Sequence, residues 1–511
     1  MKPMMLKRFH VIAALLILLL SVSAAAAQDD ATVTMIVTRD PVSLDPHTTL
    51  DPGAPILLAY IYDTLVYQTP TGEVLPSLAE SWTVSEDGLS ITFTLKPGIV
   101  FSNGEPVNAD AVIFTFQRLQ SVGQRSLIYD EISNITAFEK VDDLTVTFQL
   151  EEPSATLLSA LTYPYAGILE PSAVEAAGDT YGQNPVGTGS FILESWVPES
   201  ELVFVPNPNY GGHRPWTDAG TASIDALRVR FSTDESARVN ALLADEADIV
   251  YLASGAQLDR VGEGFTILES PARALVYLGF NTARAPFDNP DVRRAVEQAI
   301  NKEDVLALAV NGIGQILNAP LPPTVFGFDE TIDSEGLPYD PNAAQNLLAS
   351  SGVTIDRPIR ILTSTFPTFE AIGVVLQAQL AQLGITAEIT VLDFAAVRDV
   401  ALGGDYDILI TRYDWNDPDV LWRYLGTDNL GNTNRYFYSN PELDALLVDA
   451  RQTFDPAARA ALYADAQRLI MQDAPIISLY VPQTMVVISD RVQNVELLHS
   501  HVVLEDALLA P

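Results

Sequence analysis

Apolar and polar residues alternate along much of the first third of the chain, as they do in strands with one buried face. Ile91, Phe93 and Leu95 are separated by threonines, and residues 144–150 repeat the alternation after an Asp-Asp turn. Residues 109–120 follow a Glu-Pro step and are predicted to form a helix. These patterns predict a strand-rich region over residues 31–185.

Strands and helices alternate between residues 286 and 475. Asn289-Pro290 predicts the start of a helix that runs to about residue 310, because proline is favoured at the first helical position. Farther along, the pattern predicts strand 359–363, helix 368–383, strand 386–392, a short helix ending at 403–404, and strand 406–410. This β-α-β-α-β order favours a mainly parallel sheet that is covered by helices.

No internal repeat and no long linker separates these regions in the sequence. The chain is therefore predicted to form two α/β lobes and a strand-rich extension, joined by short crossings that favour hinge motion. We place the hinge near residues 271–281 and 478–485. The predicted division is a signal peptide (1–27), a first-lobe core (28–55, 186–273 and 486–511), an extra subdomain (56–185) and a second lobe (274–485).

The N-terminus has the pattern of a secretory signal peptide. Lys2, Lys7 and Arg8 precede an apolar run over residues 11–20, and small residues lead to Ala27. An uncleaved anchor is the alternative, but the run is much shorter than the about 20 residues of a membrane span. We therefore expect an exported protein that is periplasmic or extracellular and associated with the cell envelope.

The charge balance argues against several partners. Asp and Glu number 66 against 28 Lys and Arg, and the net charge is −38. A surface this acidic repels nucleic-acid phosphates and anionic lipid heads. It favours solubility or, as a second interpretation, cationic ligands.

The composition also limits metal and thiol chemistry. The chain of 511 residues has no cysteine, which excludes disulfides, thiolate zinc sites and a lipid anchor on cysteine. The pair His499-x-His501 has strand-like spacing, and we interpret it as part of a solvated C-terminal strand rather than a metal site. The sequence predicts no cofactor and no metal.

Several segments match, in order, the pattern of one protein family. They are residues 78–112 (LAESWTVSEDGLSITFTLKPGIVFSNGEPVNADAV), 184–196, 207–212, 277–281, 286–300, 339–352 and 438–447. Together they resemble the extracellular solute-binding proteins of the dipeptide/oligopeptide/nickel family, family 5, which serve ABC importers. The resemblance implies an α/β, two-lobed periplasmic-binding-protein fold (type II, cluster C) with an extra strand-rich subdomain in the first lobe.

The same resemblance implies a function in which binding, and not catalysis, is the task. A monomer would capture a short peptide between its lobes and deliver it to the ABC permease subunits in the membrane. Backbone pairing would hold the peptide, and a carboxylate would hold its ammonium group. The alternatives are an oligosaccharide, a metal chelate or another solute in the same fold, a binding protein diverted to a receptor or sensor, and, from another class, a secreted hydrolase with a carboxylate pair.

The resemblance places the ligand site after a strand of the second lobe. Asp414 falls at the family's amine-anchoring position, and the strand ending at Ile410 would carry it to the cleft. The alternative is an ion pair with Arg412, which shares a face with Asp414 in an extended chain. Tyr413 and Trp415 are predicted either to wall the cleft or to pack in the core. Thr411 occupies a position where peptide binders commonly have tryptophan, so the preference for peptides is an open question.

Two further segments complete the predicted site. Leu50 and Asp51 would offer backbone groups to the ligand, and Pro52 cannot donate a hydrogen bond. Arg435 would meet a carboxylate of the ligand or else be a solvated loop arginine.

Overall fold

The structure is a computed structural model that describes residues 31–51, 53–214, 222–252 and 255–510. The predicted signal peptide lies outside these residues. Within the described ranges, no helix combines the length and apolar character needed to cross a membrane.

The strands belong to three main sheets and to short hairpins. In chain order they are β1 (Thr32–Val37), β2 (Val66–Gln68), β3 (Val74–Pro76), β4 (Ala79–Val84), β5 (Ser90–Leu95), β6 (Ile135–Lys140), β7 (Thr145–Leu150), β8 (Phe191–Val197), β9 (Glu201–Pro206), β10 (Ala226–Phe231), β11 (Ile249–Leu252), β12 (Phe265–Pro271), β13 (Ala274–Phe280), β14 (Gln315–Ile316), β15 (Ile359–Ser364), β16 (Ala387–Leu392), β17 (Ile408–Asp414), β18 (Ile476–Val481), β19 (Gln483–Ser489), β20 (Val492–Gln493), β21 (Glu496–Leu498), β22 (His501–Val503) and β23 (Leu508–Leu509).

The α-helices cover the sheets. They are α1 (Ala54–Ile61), α2 (Ala109–Val122), α3 (Tyr129–Ile132), α4 (Thr156–Ala160), α5 (Pro171–Ala177), α6 (Glu235–Leu243), α7 (Pro290–Ala299), α8 (Lys302–Ala309), α9 (Glu330–Asp333), α10 (Pro341–Ser350), α11 (Pro367–Gln382), α12 (Phe394–Leu402), α13 (Val420–Leu425), α14 (Pro441–Gln452) and α15 (Pro456–Asp473).

The first lobe is built on a seven-stranded sheet in the order β12-β19-β11-β1-β10-β9-β8. All six residues of β1 are buried, and this strand pairs in parallel with β10 and β11. Strand β1 is thus buried on both faces, and neither row of its side chains meets water. The sheet therefore joins the N-terminal strand to strands from the middle and the end of the chain.

An extra subdomain consists of the antiparallel sheet β4-β5-β7-β6 and helix α2, which packs on β6 and β7. On β5, Ile91, Phe93 and Leu95 are buried while the residues between them are only partly buried, which confirms the predicted alternation. The rings of Phe93 and Phe116 lie 5.2 and 5.1 Å from that of Phe148. This core is continuous with the core of the first lobe.

The second lobe has a six-stranded sheet in the order β14-β18-β13-β17-β15-β16. Strand β15 pairs in parallel with β16 and β17, whereas β13–β17, β13–β18 and β14–β18 are antiparallel pairs. The expectation of a mainly parallel sheet is therefore right only for β16-β15-β17. The reason is that β13 brings the chain into this lobe and β18 takes it out, so these neighbours run in opposite directions.

Two helices replace the single helix that was expected up to residue 310. Helix α7 ends at Ala299, and α8 begins at Lys302. The side chain of Asn301 accepts a hydrogen bond from the backbone N–H of Asp304 at 3.1 Å. Asparagine at this position caps a new helix, and this local signal overrides the continuing helical spacing.

The chain crosses between the two large sheets at two adjacent places. Residues 272–273 connect β12 to β13, and Pro482 connects β18 to β19. The N–H of Ala272 donates to the carbonyl of Pro482 at 2.8 Å. Both crossings fall within the segments that the sequence proposes as a hinge. We keep the hinge motion and the domain boundaries as proposals.

Candidate functional site

The carboxyl ends of β15, β16 and β17 meet at one edge of the second-lobe sheet, here called the carboxyl edge. The backbone N–H of Trp415, directly after β17, donates to the carbonyl of Arg273 in a crossing segment at 2.9 Å. This edge therefore faces the first lobe. It also exposes two aromatic side chains at the starts of helices α11 and α12, since Phe366 is 49% and Phe394 is 73% exposed. Ligands of α/β folds commonly bind at such an edge.

Asp414 and Arg412 form an ion pair at the end of β17. The distance from Arg412 Nε to Asp414 Oδ2 is 2.9 Å, and the side chains are 40% and 56% exposed. The guanidinium also lies 5.8 Å from the centroid of the Phe366 ring. The protein around the cleft desolvates the Asp414 carboxylate and raises its pKa, and Arg412 partly offsets this effect. The ion pair with Arg412, which was the alternative to a ligand contact, is thus present in the structure. The role of Asp414 as a ligand anchor stays a prediction.

The neighbouring side chains on β17 point into the core. Tyr413 is buried, and its hydroxyl donates to the carbonyl of Pro320 at 2.5 Å. Its ring lies 5.8 Å from that of Tyr277. The expectation that Tyr413 walls the cleft is therefore wrong, because the alternation of β17 turns it away from the face that carries Asp414. Ile410 is buried as well, so only its backbone could border a ligand.

Trp415 lies where the second lobe meets the extra subdomain. Its ring centroid is 5.8 Å from that of Tyr163, and the guanidinium of Arg423 lies 4.4 Å from it on the ring face. The hydroxyl of Tyr163 accepts a hydrogen bond from the N–H of Asn416 at 2.9 Å. Sequence analysis missed Tyr163, although its Tyr-Pro-Tyr context was a visible aromatic signal.

Residues 416–419, here called the docking loop, bind to the extra subdomain. The side-chain amide of Asn416 donates to the carbonyl of Ser159 at 3.0 Å. The carboxylate of Asp417 accepts from the hydroxyl of Ser159 at 2.5 Å and from Arg459 Nη2 at 2.8 and 3.0 Å. All of these partners are buried. The loop directly after the candidate site therefore joins the second lobe to the subdomain.

Ionisable groups surround the docking loop. Arg423 binds Asp130 of the subdomain at 3.0 Å and lies 3.6 Å from Glu131, while Arg451 binds Asp419 at 2.7 Å. Burial raises the pKa of Glu131 to about 7 and that of Asp419 to about 6. The nearby arginines offset only part of this desolvation, so the junction contains carboxyl groups that titrate near neutral pH.

On the first-lobe side, Leu50 is 61% exposed. Asp51 takes part in a local turn, in which its carboxylate accepts from the N–H of Gly53 at 2.8 Å and its carbonyl accepts from the N–H of Ala54 at 3.1 Å. A ligand that paired with this carbonyl would share it with Ala54. Pro52 lies outside the described residues.

Arg435 is not a solvated loop arginine. It is half-buried, its Nε lacks a hydrogen-bond acceptor, and the described residues place no carboxylate within ion-pair distance of it. Burial raises the pKa of Tyr424, Arg435 lowers it and Asp414 raises it, which places Tyr424 within electrostatic reach of both charged groups. Tyr424 is a second residue near the site that sequence analysis missed.

The histidine pair at the C-terminus is packed and not solvated, so that expectation is wrong. His501 Nδ1 lies 3.3 Å from the carbonyl of Ile56, and its ring is 4.3 Å from that of Tyr60. His499 contacts the guanidinium of Arg273. Strand β22 packs on α1, which covers the ring of His501, whereas His499 lies beside Gln68 and Arg273. Across the described ranges, no group of three or more metal-ligating side chains is placed to hold an ion.

Comparisons with known proteins extend over most of the chain. The model of the family "Bacterial extracellular solute-binding proteins, family 5 Middle" matches residues 73–432. The probable D,D-dipeptide-binding periplasmic protein DdpA of Escherichia coli (strain K12) is 30% identical over 460 residues, 86% of each chain. Di/tripeptide-binding protein 1 of Pseudomonas aeruginosa is 31% identical over 439 residues, 79% of this chain and 80% of that protein. The solved structure of the ABC transporter-associated periplasmic binding protein DppA from Helicobacter pylori, in complex with the peptide STSA, is 27% identical, with a TM-score of 0.74 over 94% of this chain and 98% of its own.

Proposed function

Because this chain belongs to the bacterial extracellular solute-binding proteins of family 5, we propose that it binds a short peptide between its lobes. Two relatives of at least 30% identity are named for dipeptides or for di- and tripeptides, which supports this class of ligand. The bound peptide would pass to ABC permease subunits in the membrane. The protein would be exported to the periplasm or cell envelope and act there as a monomer without catalysis.

The observation that carries the proposal is the carboxylate of Asp414 at the carboxyl edge. This carboxylate is partly exposed to solvent, and the protein around it raises its pKa by desolvation. The ammonium group of a peptide would compensate the negative charge of Asp414 through charge-assisted hydrogen bonds. These bonds would offset the cost of removing water from the carboxylate. Arg412 pairs with the same carboxylate in this structure, so binding of a peptide ammonium would exchange one cation for another.

The two exposed phenylalanines suit the side chains of a peptide. Phe366 and Phe394 stand at the starts of α11 and α12, on the same edge as Asp414. Exposed aromatic rings in a cleft gain free energy when an apolar group covers them. A site with an anchor for the peptide main chain beside an apolar surface recognises the backbone and the termini of a peptide. It therefore accepts peptides of many sequences rather than one.

Native mass spectrometry of the protein as purified, followed by denaturation, tests the proposal. We expect masses of peptides of two to several residues. Calorimetric titration with a dipeptide and its N-acetylated form then tests the anchor, and acetylation should abolish most of the affinity. A sugar or metal chelate as the only cargo, or equal affinity for the acetylated peptide, would contradict the proposed ligand.

A further inference from the structure

An isoleucine of the second lobe packs against an apolar core of the first lobe. Ile313 lies in the loop between α8 and β14, and it contacts a first-lobe cluster that includes Val250, Leu252 and Met485. The tip of its side chain reaches the backbone of Gly255, which begins a short helical segment after β11. This contact between Ile313 and Gly255, here called the brace, joins the two lobes at a place where the chain does not cross between them.

Gly255 leaves the space that the isoleucine fills. A Cβ atom on Gly255 would clash with Ile313 Cδ1 and would lie 3.0 Å from Ile313 Cγ1. The φ angle of Gly255 is not positive, so its backbone conformation does not by itself call for glycine. The close approach of the other lobe is therefore the physical reason for a residue without a side chain at this position.

The loop around Ile313 is shaped to present this side chain. Asn311, Gly312 and Gly314 have φ angles of 57°, 79° and 131°, in the region that glycine and asparagine adopt most readily. The N–H of Gly312 donates to the carbonyl of Leu306 in α8 at 2.8 Å. The loop is thus tied to the second lobe, and Ile313 moves with that lobe.

The brace lies beside the crossings of the chain. Gln315, two residues after the isoleucine, is the register partner of Val481, which directly precedes the crossing at Pro482. On the first-lobe side, β11 pairs with β19, the strand that directly follows Pro482. A rotation of the lobes about the crossings therefore displaces Ile313 relative to Gly255.

The candidate ligand residues of the two lobes lie uncovered while the brace is formed. Leu50 of the first lobe is 61% exposed, and Phe394 of the second lobe is 73% exposed. Within the described ranges, no hydrogen bond or ion pair joins residues 50–51 to residues 411–415. The two sides of the candidate site are therefore apart in the arrangement that contains the brace.

We propose that the brace stabilises an open arrangement of the lobes, and that closure over a solute withdraws Ile313 from the first-lobe core. The inference rests on the proposed capture of a solute between the lobes, but not on which solute is captured. Withdrawal exposes apolar surface to water, and this cost reduces the net free energy of binding. The brace thereby tunes affinity from outside the ligand site and favours reopening after the solute has left.

Weakening the brace should tighten binding, which is the opposite of what damage to a binding protein does. Ile313→Ala removes the inserted side chain, and Gly255→Ala places a methyl group in the space that this side chain needs. Each variant should lower the Kd for trialanine about 3- to 10-fold, because the apparent affinity rises with the populated fraction of the closed arrangement. The double variant should gain no more than Ile313→Ala alone, since the methyl group then has room.

Spin labels on the two lobes measure the arrangement directly. The chain has no cysteine, so Leu50→Cys and Phe394→Cys place one label on each side of the candidate site. In protein freed of cargo, double electron–electron resonance should show shorter distances in both brace variants than in the background with an intact brace. Leu308→Ala is the matched control, because Leu308 is 70% exposed on α8 and lies outside the brace. It should change neither the distances nor the Kd, which calorimetry measures on the unlabelled proteins.

The outcomes separate the brace from the proposed ligand. Unchanged distances in both brace variants would overturn the inference. Weaker binding by folded variants would overturn it as well, since it would show that the brace belongs to the closed arrangement. Shorter distances without any binding of trialanine would leave the brace standing and count against the proposed peptide ligand. Thermal melts show whether each variant is folded, and the two substitutions lie in different lobes, so either variant alone decides the question.

Discussion

Asp414 and Asp417 are three positions apart and have opposite surroundings. Asp417 is 2% exposed and is held by Ser159 and Arg459. Asp414 is 56% exposed at the carboxyl edge, and its one ion-pair partner among the described residues, Arg412, is itself partly exposed. The comparison teaches that two aspartates of one short segment can differ completely, since one is locked into the structure and the other keeps a partly exposed carboxylate. The difference comes from which partners the fold brings to each carboxylate.

Trp415 and Asn416 lie between the two aspartates, and each is hydrogen-bonded to another part of the protein. Trp415 is hydrogen-bonded to the crossing segment, and Asn416 is bonded to the subdomain. If the lobes rotate, the docking loop must leave the subdomain or carry it along. Ligand at Asp414 and docking at Asp417 are therefore expected to influence each other.

The largest effect should come from Asp417→Ala. Removing this carboxylate leaves Arg459 buried without its counter-ion and Ser159 without its acceptor, which we expect to cost about 3–5 kcal/mol in the free energy of unfolding. Denaturant titration measures this loss. Asp414→Ala is the matched control and should change stability little, because its ion pair is exposed. Similar losses in the two variants would remove the contrast between these aspartates.

Next in size is the effect of Asp414→Ala on binding. Loss of the anchor should weaken the binding of a peptide with a free amine by about 2–5 kcal/mol, as found when one partner of a desolvated charge pair is removed. Calorimetry with the cargo peptide measures the change, and Asp399→Asn on the exposed side of α12 controls for charge. Arg412→Gln should bind slightly tighter, since it removes the competing cation. Unchanged affinity in Asp414→Ala would exclude this residue from the site.

The smallest effect concerns pH at the docking loop. Burial raises the pKa of Glu131 to about 7, above the unfolded value of about 4.3, so the folded state holds this proton more tightly. The contribution of Glu131 to stability therefore falls as pH rises through this interval and stays low above pH 7. Arg423, Asp130 and Asp419 face the same group and modify the size of the change.

Glu131→Gln should consequently gain stability relative to the wild type between pH 5 and pH 8, by about 1 kcal/mol or more. Unfolding midpoints at both pH values give the difference, and Glu139→Gln, on the exposed face of β6, is the matched control. A stability difference between Glu131→Gln and the wild type that does not vary with pH would show that the carboxyl group of Glu131 does not titrate in this interval.

Much of the fold could be predicted because its signals are local. The alternation on β5 and the helix start at Asn289-Pro290 lie within a few residues of what they specify. The two-lobed α/β class and the family follow from motifs that occur in order, and both are confirmed. The predictions for the sheet direction and for His499 and His501 were wrong, because they depend on elements that are distant in sequence.

The sequence by itself determined the alternation of strands and helices, the excess of acidic residues and the position of Asp414 beside an acidic-proline step. Only the tertiary structure decided which charges are compensated. Ser159, which holds Asp417, lies 258 positions away from it, and His499, which contacts Arg273, lies 226 positions away from that arginine. The free energy of a charged side chain depends on everything that replaces its water, and that environment exists only after the distant segments have packed.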